Sequence, residues 1–234
     1  MKDNIIIACD FSGKEETLEF LSRLDPYRPY LKIGMELFYA CGGSIVTELK
    51  SRGHKIFLDL KLHDIPNTVM RTMSVLSRLG ADMVNVHAAG SRAMMEAAVT
   101  GATRPDGTRP KIIAVTQLTS TSYEVMRDEL LINVPIEDAV SSYAENAKRS
   151  GLDGVVCSPL EAGPIHRVCG DGFLTVTPGV RFDGGDTGDQ HRVMTPRDAA
   201  EAGSDYIVIG RPITRAENVR AAYLRAEREF NENK

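Results

Sequence analysis

Lys55-Ile-Phe-Leu-Asp-Leu-Lys-Leu-His-Asp-Ile-Pro-Asn-Thr-Val-Met-Arg-Thr-Met-Ser-Val-Leu-Ser-Arg-Leu-Gly-Ala-Asp-Met-Val-Asn-Val86 contains one complete structural unit of the chain. Lys55 to Leu60 is a short apolar run that reads as a strand. Val69, Met73, Leu76 and Leu79 recur at spacings of three and four, which puts them on one face of a helix. Gly80 stands where that helix should stop, and Met83 to Val86 begins the next strand.

The same alternation runs along the rest of the sequence. Ile5 to Cys9, Tyr30 to Ile33, Lys111 to Thr116, Gly154 to Cys157, Phe173 to Thr177 and Tyr206 to Ile209 bring the strand runs to eight. They show little polar alternation, so they read as parallel strands buried on both faces under helices. Glu137 to Lys148, with Ala139, Val140, Tyr143 and Ala147, has helical spacing. Ser158-Pro-Leu-Glu161 and Thr195-Pro-Arg-Asp198 carry helix-start signals, with Gly151 and Gly203 at expected stops. Eight strand-helix units in 234 residues favour a single-domain (β/α)8 TIM barrel spanning 1–234 over a doubly wound sheet, which more often has five or six strands. Ser122 to Pro135 is predicted to add a short helix and turn after strand five, and Arg181 to Arg192 a polar, Gly-rich loop after strand seven.

A hydrophobic content of 42% is enough for one sizeable core, and a formal charge of −4 gives no general attraction to nucleic acid or to an anionic membrane. An anionic partner must then be a small ligand held by a few placed cations and backbone amides. Cys9, Cys41, Cys157 and Cys169 lack the pairing of a zinc site and the density of a disulfide scaffold. The segment Met1 to Asp10 is too briefly apolar for a signal peptide, and no later stretch approaches a membrane span. The expected setting is cytoplasmic.

In a barrel of this kind the strand C-termini carry the chemistry. Asp10, Lys32, Asp59, Lys61, His87, Thr119, Gly210 and Arg211 fall there, with Arg181 and Gln190 in loop seven. Asp59 and Lys61 are two apart, so they project to one side of a continuing strand. Opposite charges at roughly 4 Å attract by about 4 kcal/mol at an effective dielectric of about 20, so an alternating array of Lys32, Asp59, Lys61 and Asp64 can hold all four ionised. The plain alternative is a salt-bridge network that only fixes loops.

Gly210-Arg211 offers unobstructed amides and a guanidinium suited to a phosphate. Loop seven, with Gly184, Gly185 and Gly188, reads as a lid over it rather than as a dinucleotide fingerprint. His87 is expected to be structural and His63 to face away from Lys61, while His54, His166 and His191 read as surface residues. Met70, Met73, Met94 and Met95 read as packing residues, and Gln117 has no assigned role.

In order along the chain, Ala8-Cys-Asp10, Leu31-Lys-Ile-Gly34, Phe57 to Thr68, Val115-Thr-Gln-Leu-Thr-Ser120, Val176-Thr-Pro-Gly-Val-Arg181, Asp189-Gln-His-Arg192 and Val208-Ile-Gly-Arg-Pro-Ile213 form a specific set. On these motifs the sequence closely resembles the orotidine 5'-phosphate decarboxylase family in its bacterial form. The resemblance implies orotidine 5'-monophosphate as substrate, UMP and carbon dioxide as products, and no cofactor or metal. It makes Lys61 the proton donor, with Asp59 beside the substrate carboxylate. Asp10 and Lys32 would hold the ribose, and Lys32 would also order Asp59. Thr119 would read the pyrimidine edge. Pro178 would be a further substrate-binding residue, and Arg181, Gln190, Gly210 and Arg211 would hold the phosphate end. It also implies a homodimer in which Asp64, Ile65 and Thr68 reach the neighbouring subunit's site.

Two rivals remain. A metal-dependent sugar-phosphate decarboxylase or aldolase of the same barrel group shares Asp-x-Lys-x-x-Asp but tends to carry a carboxylate where Lys32 stands, and an ammonium there repels a divalent cation. A catalytically silent nucleotide-binding protein would keep the phosphate site without turnover.

Overall fold

The computed structural model describes residues 3–184 and 194–232. Eight parallel strands close into a barrel: β1 (Ile5–Cys9), β2 (Tyr30–Gly34), β3 (Ile56–Leu62), β4 (Met83–His87), β5 (Lys111–Val115), β6 (Gly154–Val156), β7 (Leu174–Thr177) and β8 (Tyr206–Ile209). Each strand pairs with the next, and β8 pairs with β1 through Ile5–Ile207, Ile6–Val208 and Ile7–Ile209. The expected barrel is therefore the fold, with strand limits within two residues of those read from the sequence.

The strands are apolar on both faces because each face meets other protein. Ile6, Ala8, Tyr30, Phe57, Met83, Ile113, Val176 and Val208 point inward and plug the barrel. Their neighbours, among them Ile5, Ile7, Leu31, Ile33, Leu58 and Val84, point outward into the layer covered by helices. Val69, Met73 and Leu76 are the buried stripe of the helix Pro66–Arg78, as their spacing required. Gly80, Gly151 and Gly203 follow helices with φ of 85°, 82° and 96°, conformations in which a Cβ would be strained.

Helix starts follow the local signals. Asp198 N–H donates to Thr195 Oγ1 at 3.1 Å, and Ser158 N–H donates to the Glu161 carboxylate at 2.8 Å. The insertion after β5 does contain a short helix, Tyr123–Asp128. Met73, Met94 and Met95 are fully buried.

Two histidines expected at the surface, His54 and His166, are enclosed instead. His54 is only 4% exposed, with Nδ1 3.0 Å from the Pro29 carbonyl, because it turns inward at the entry to β3 and not outward to solvent. Burial holds its imidazole below the usual histidine pKa. His166 is also partly buried, with Nε2 3.0 Å from the Gly203 carbonyl at the end of a neighbouring helix. His191 lies outside the described residues.

No helix among the described residues is long and apolar enough to cross a membrane.

Candidate active site

The inward stripe of each strand continues past the apolar plug into polar residues. Asp10 lies two positions beyond Ala8, Lys32 two beyond Tyr30, Asp59 two beyond Phe57, and Asn85 two beyond Met83. Period-two alternation thus places one residue type on the barrel floor and another at its mouth. A cavity of about 710 Å³ opens above the plug, with Ala8, Phe57, Val115 and Val208 beneath it.

The same cavity is lined by Asp10, Lys32, Asp59, Lys61, Thr119, Pro178, Arg181, Gly210 and Arg211. Nine residues named from the sequence therefore meet around one space. Gln190 and most of the loop read as a lid lie outside the described residues.

The charged centre is a chain of ion pairs. Lys32 Nζ donates to Asp10 Oδ1 at 3.1 Å and lies 3.3 Å from Asp59 Oδ2, while Lys61 Nζ donates to Asp59 Oδ1 at 2.6 Å. Burial alone would lower the Lys32 pKa, but the Asp59 and Asp10 carboxylates outweigh it and raise the ammonium above the usual lysine value. Burial would likewise raise Asp59. Lys32 and Lys61, with hydrogen bonds from Lys61 and Asn85, instead hold its carboxyl below the ordinary value. Both groups are charged at neutral pH, and the site presents fixed positive and negative charge side by side.

Strand β3 is not regular where it carries these groups. Its pairing with β4 passes from Leu58–Val84 to Leu62–Val86, a register shift across Asp59 to Lys61. Lys61 has φ of 51°, in the left-handed region that side chains seldom occupy. Its backbone N–H donates to Asn85 Oδ1 at 2.8 Å, and Asn85 Nδ2 donates to Asp59 Oδ1 at 2.7 Å. Asn85 was not singled out by the sequence reading. Its signal was a neutral amide within the apolar strand Met83-Val-Asn-Val-His87, in step with the inward stripe.

Asp64, Ile65 and Thr68 are exposed and do not line their own chain's cavity. The four-membered array of Lys32, Asp59, Lys61 and Asp64 therefore does not form within one chain. After Leu62 the backbone turns towards the helix at Pro66 and carries Asp64 out to the rim, and Asp10 takes the place beside Lys32.

Gln117, which had no assigned role, and Arg215, which was not singled out, also line the cavity. Gln117 is 8% exposed on its wall, and Arg215 adds a guanidinium near Arg211 in sequence. His87 is not among the lining residues. Its ring lies 5.7 Å from that of His63, and burial first, then His63 and Lys61, keep it below the usual histidine pKa. Among the described residues no three His, Cys, Asp or Glu side chains are grouped to hold a metal ion.

The family described as "Orotidine 5'-phosphate decarboxylase / HUMPS family" matches residues 3–226. Among similar proteins, the orotidine 5'-phosphate decarboxylase of Bacillus cereus (strain Q1) is 53% identical over 233 residues, 98% of each chain. That of Bacillus cytotoxicus is also 53% identical over 98% of each chain. Among solved structures, orotidine 5'-phosphate decarboxylase from Lactobacillus acidophilus superimposes with a TM-score of 0.88 at 44% identity, covering 98% of this chain and 100% of that one. An uncharacterized conserved protein from Geobacillus kaustophilus gives a TM-score of 0.87 at 49% identity, covering 97% and 100%.

Proposed function

The chain belongs to the orotidine 5'-phosphate decarboxylase / HUMPS family, and on that premise we propose that it converts orotidine 5'-monophosphate to UMP and carbon dioxide, with Lys61 protonating C6. It is a carboxy-lyase of pyrimidine nucleotide biosynthesis. The observation that carries the reading is the Lys32–Asp59–Lys61 ion chain in a cavity that three arginines, Arg181, Arg211 and Arg215, also line.

Breaking the bond between C6 and the carboxylate leaves an electron pair on C6, in the plane of the ring, where the π-system does not delocalise it. A site that accelerates this step must place positive charge, and a proton, where that pair develops. The Lys61 ammonium supplies both: it stabilises the carbanion and then transfers a proton to C6, after which the neutral amine regains a proton from solvent. Asp59 lies beside the substrate carboxylate and repels it, a stress relieved as neutral carbon dioxide leaves. The larger contribution is the field of Lys61, because it acts where charge appears during the reaction.

The remaining residues bind. Asp10 and Lys32 take the ribose hydroxyls, Thr119 the pyrimidine edge, and Pro178 contributes to the wall. Arg181, Gly210 and Arg211 hold the phosphate, with Gln190 from loop seven. Two chains associate, and Asp64, Ile65 and Thr68, exposed on one chain, enter the partner's site.

Support for this reading over a metal-dependent sugar-phosphate enzyme comes from Lys32. Its ammonium lies between Asp10 and Asp59, where a divalent cation would otherwise be drawn to the two carboxylates. The purified chain, given orotidine 5'-monophosphate, should release carbon dioxide and UMP at the same rate with and without a chelator. Strict metal dependence would overturn the proposal. Tight UMP binding without carbon dioxide release would select the silent nucleotide-binding protein instead.

The phosphate assignment has its own test. Arg211→Ala is expected to raise KM by about 10–100-fold, the worth of a charge-assisted hydrogen bond or two, with a smaller change in kcat. Steady-state kinetics across a wide substrate range checks this. An unchanged KM would remove Arg211 from the phosphate site.

A further inference from the structure

Asn85 is 1% exposed on the inward face of β4, and both ends of its amide are engaged. From Leu58 to Leu62 strand β3 advances four residues while β4 advances two, from Val84 to Val86. The surplus is taken up around Asp59 to Lys61, where Lys61 adopts its φ of 51°. A residue with a side chain stays in that conformation only where its surroundings fix it. Asn85 Oδ1 takes the Lys61 backbone N–H at 2.8 Å, and Nδ2 donates at 2.7 Å to Asp59 Oδ1, the same oxygen that receives Lys61 Nζ at 2.6 Å. One amide thus ties the backbone of the lysine to the carboxylate that its ammonium contacts.

We infer that Asn85 is a positioning residue for decarboxylation: it fixes the bulge of β3 so that the Lys61 ammonium and the Asp59 carboxylate keep one relative geometry. The inference rests on the reading of Lys61 as proton donor. Asparagine suits the place because its uncharged amide has an acceptor end for the Lys61 N–H and a donor end for the Asp59 carboxylate. The charged and titratable groups around it are Asp59 and Lys61 on β3, Lys32 on β2 beyond Asp59, and His87 two residues on in β4. On β5 its partner is Ile113, and Gln117 further along does not titrate.

Asn85→Ala and Asn85→Asp test the inference beside the native enzyme. For Asn85→Ala, kcat should fall about a hundredfold, as displacement of a reacting group by the order of an ångström costs, while KM and UMP affinity stay within about threefold. Asn85→Asp keeps the size and the acceptor. While protonated it donates to Asp59 as the amide does, and once ionised it repels that carboxylate. Its deficit in kcat relative to native should therefore widen as pH rises. A role confined to stability would lower the melting temperature without that pH-dependent deficit.

If Asn85→Ala is too unstable to purify, Asn85→Asp carries the test alone. A folded Asn85→Asp that keeps native kcat across the pH range would overturn the inference. A native enzyme that releases no carbon dioxide from orotidine 5'-monophosphate would instead overturn the functional reading beneath it.

Discussion

Lys61→Ala should lower kcat by about 10⁴-fold or more while UMP affinity stays within a few-fold of native, because in the proposed mechanism its loss removes both a proton donor and an electrostatic stabiliser. General acid catalysis contributes about 10²–10⁴-fold, and a single preorganised donor to a developing anion about 10²–10³-fold. The site should survive the substitution. Asp59 keeps Lys32 at 3.3 Å and the Asn85 amide at 2.7 Å, so its carboxylate is not left buried without partners. The variant also relieves no packing, since Lys61 is among the cavity-lining residues. Single-turnover kinetics and UMP titration together check this. A loss of affinity with turnover unchanged would mean that Lys61 binds the ground state and the transition state alike.

Asp64→Ala is expected to be nearly inactive by itself, and mixing it with Lys61→Ala should restore activity. Asp64 is exposed at the rim and absent from its own chain's cavity lining, which suits a residue that completes a neighbour's site. In a twofold dimer each mixed pair has one site with both substitutions and one with neither. Random exchange of equal amounts should then make roughly a quarter of all sites native. Recovery of activity on mixing, followed over the time of subunit exchange, is the measurement. Exchange that is demonstrated without recovery would place Asp64 outside the partner's site.

The barrel was legible because its strands are buried on both faces, so their apolar runs stand out against helical spacing such as Val69, Met73 and Leu76. The charged mouth was legible because Asp59 and Lys61 are two apart and fall at a strand end. What the alternation rule hid was the bulge. A regular strand through Lys61 would also put its side chain beside Asp59, so the left-handed φ and the need for a neighbouring amide leave no mark in β3 itself. The mark is on β4, where Asn85 interrupts an apolar run.

Gln117 shows the reverse case. Its polarity was noticed without a role, and the fold puts it on the cavity wall by the same two-residue step that places Val115 beneath it. His54 was misread because a histidine after a helix-ending Gly resembles a surface turn, and only the position of Pro29 on the adjoining strand entry shows that it is enclosed. Asp64 follows the chain away from the cavity at Pro66, and no spacing within one sequence says which chain's site it serves.

The most direct measurement of the central claim is the product formed by the native enzyme in D₂O with a chelator present. Decarboxylation with protonation by the solvent-exchanged Lys61 ammonium predicts equal amounts of carbon dioxide and of UMP carrying one deuterium at C6. Unchanged orotidine 5'-monophosphate, or carbon dioxide release without deuterium at C6, would contradict it.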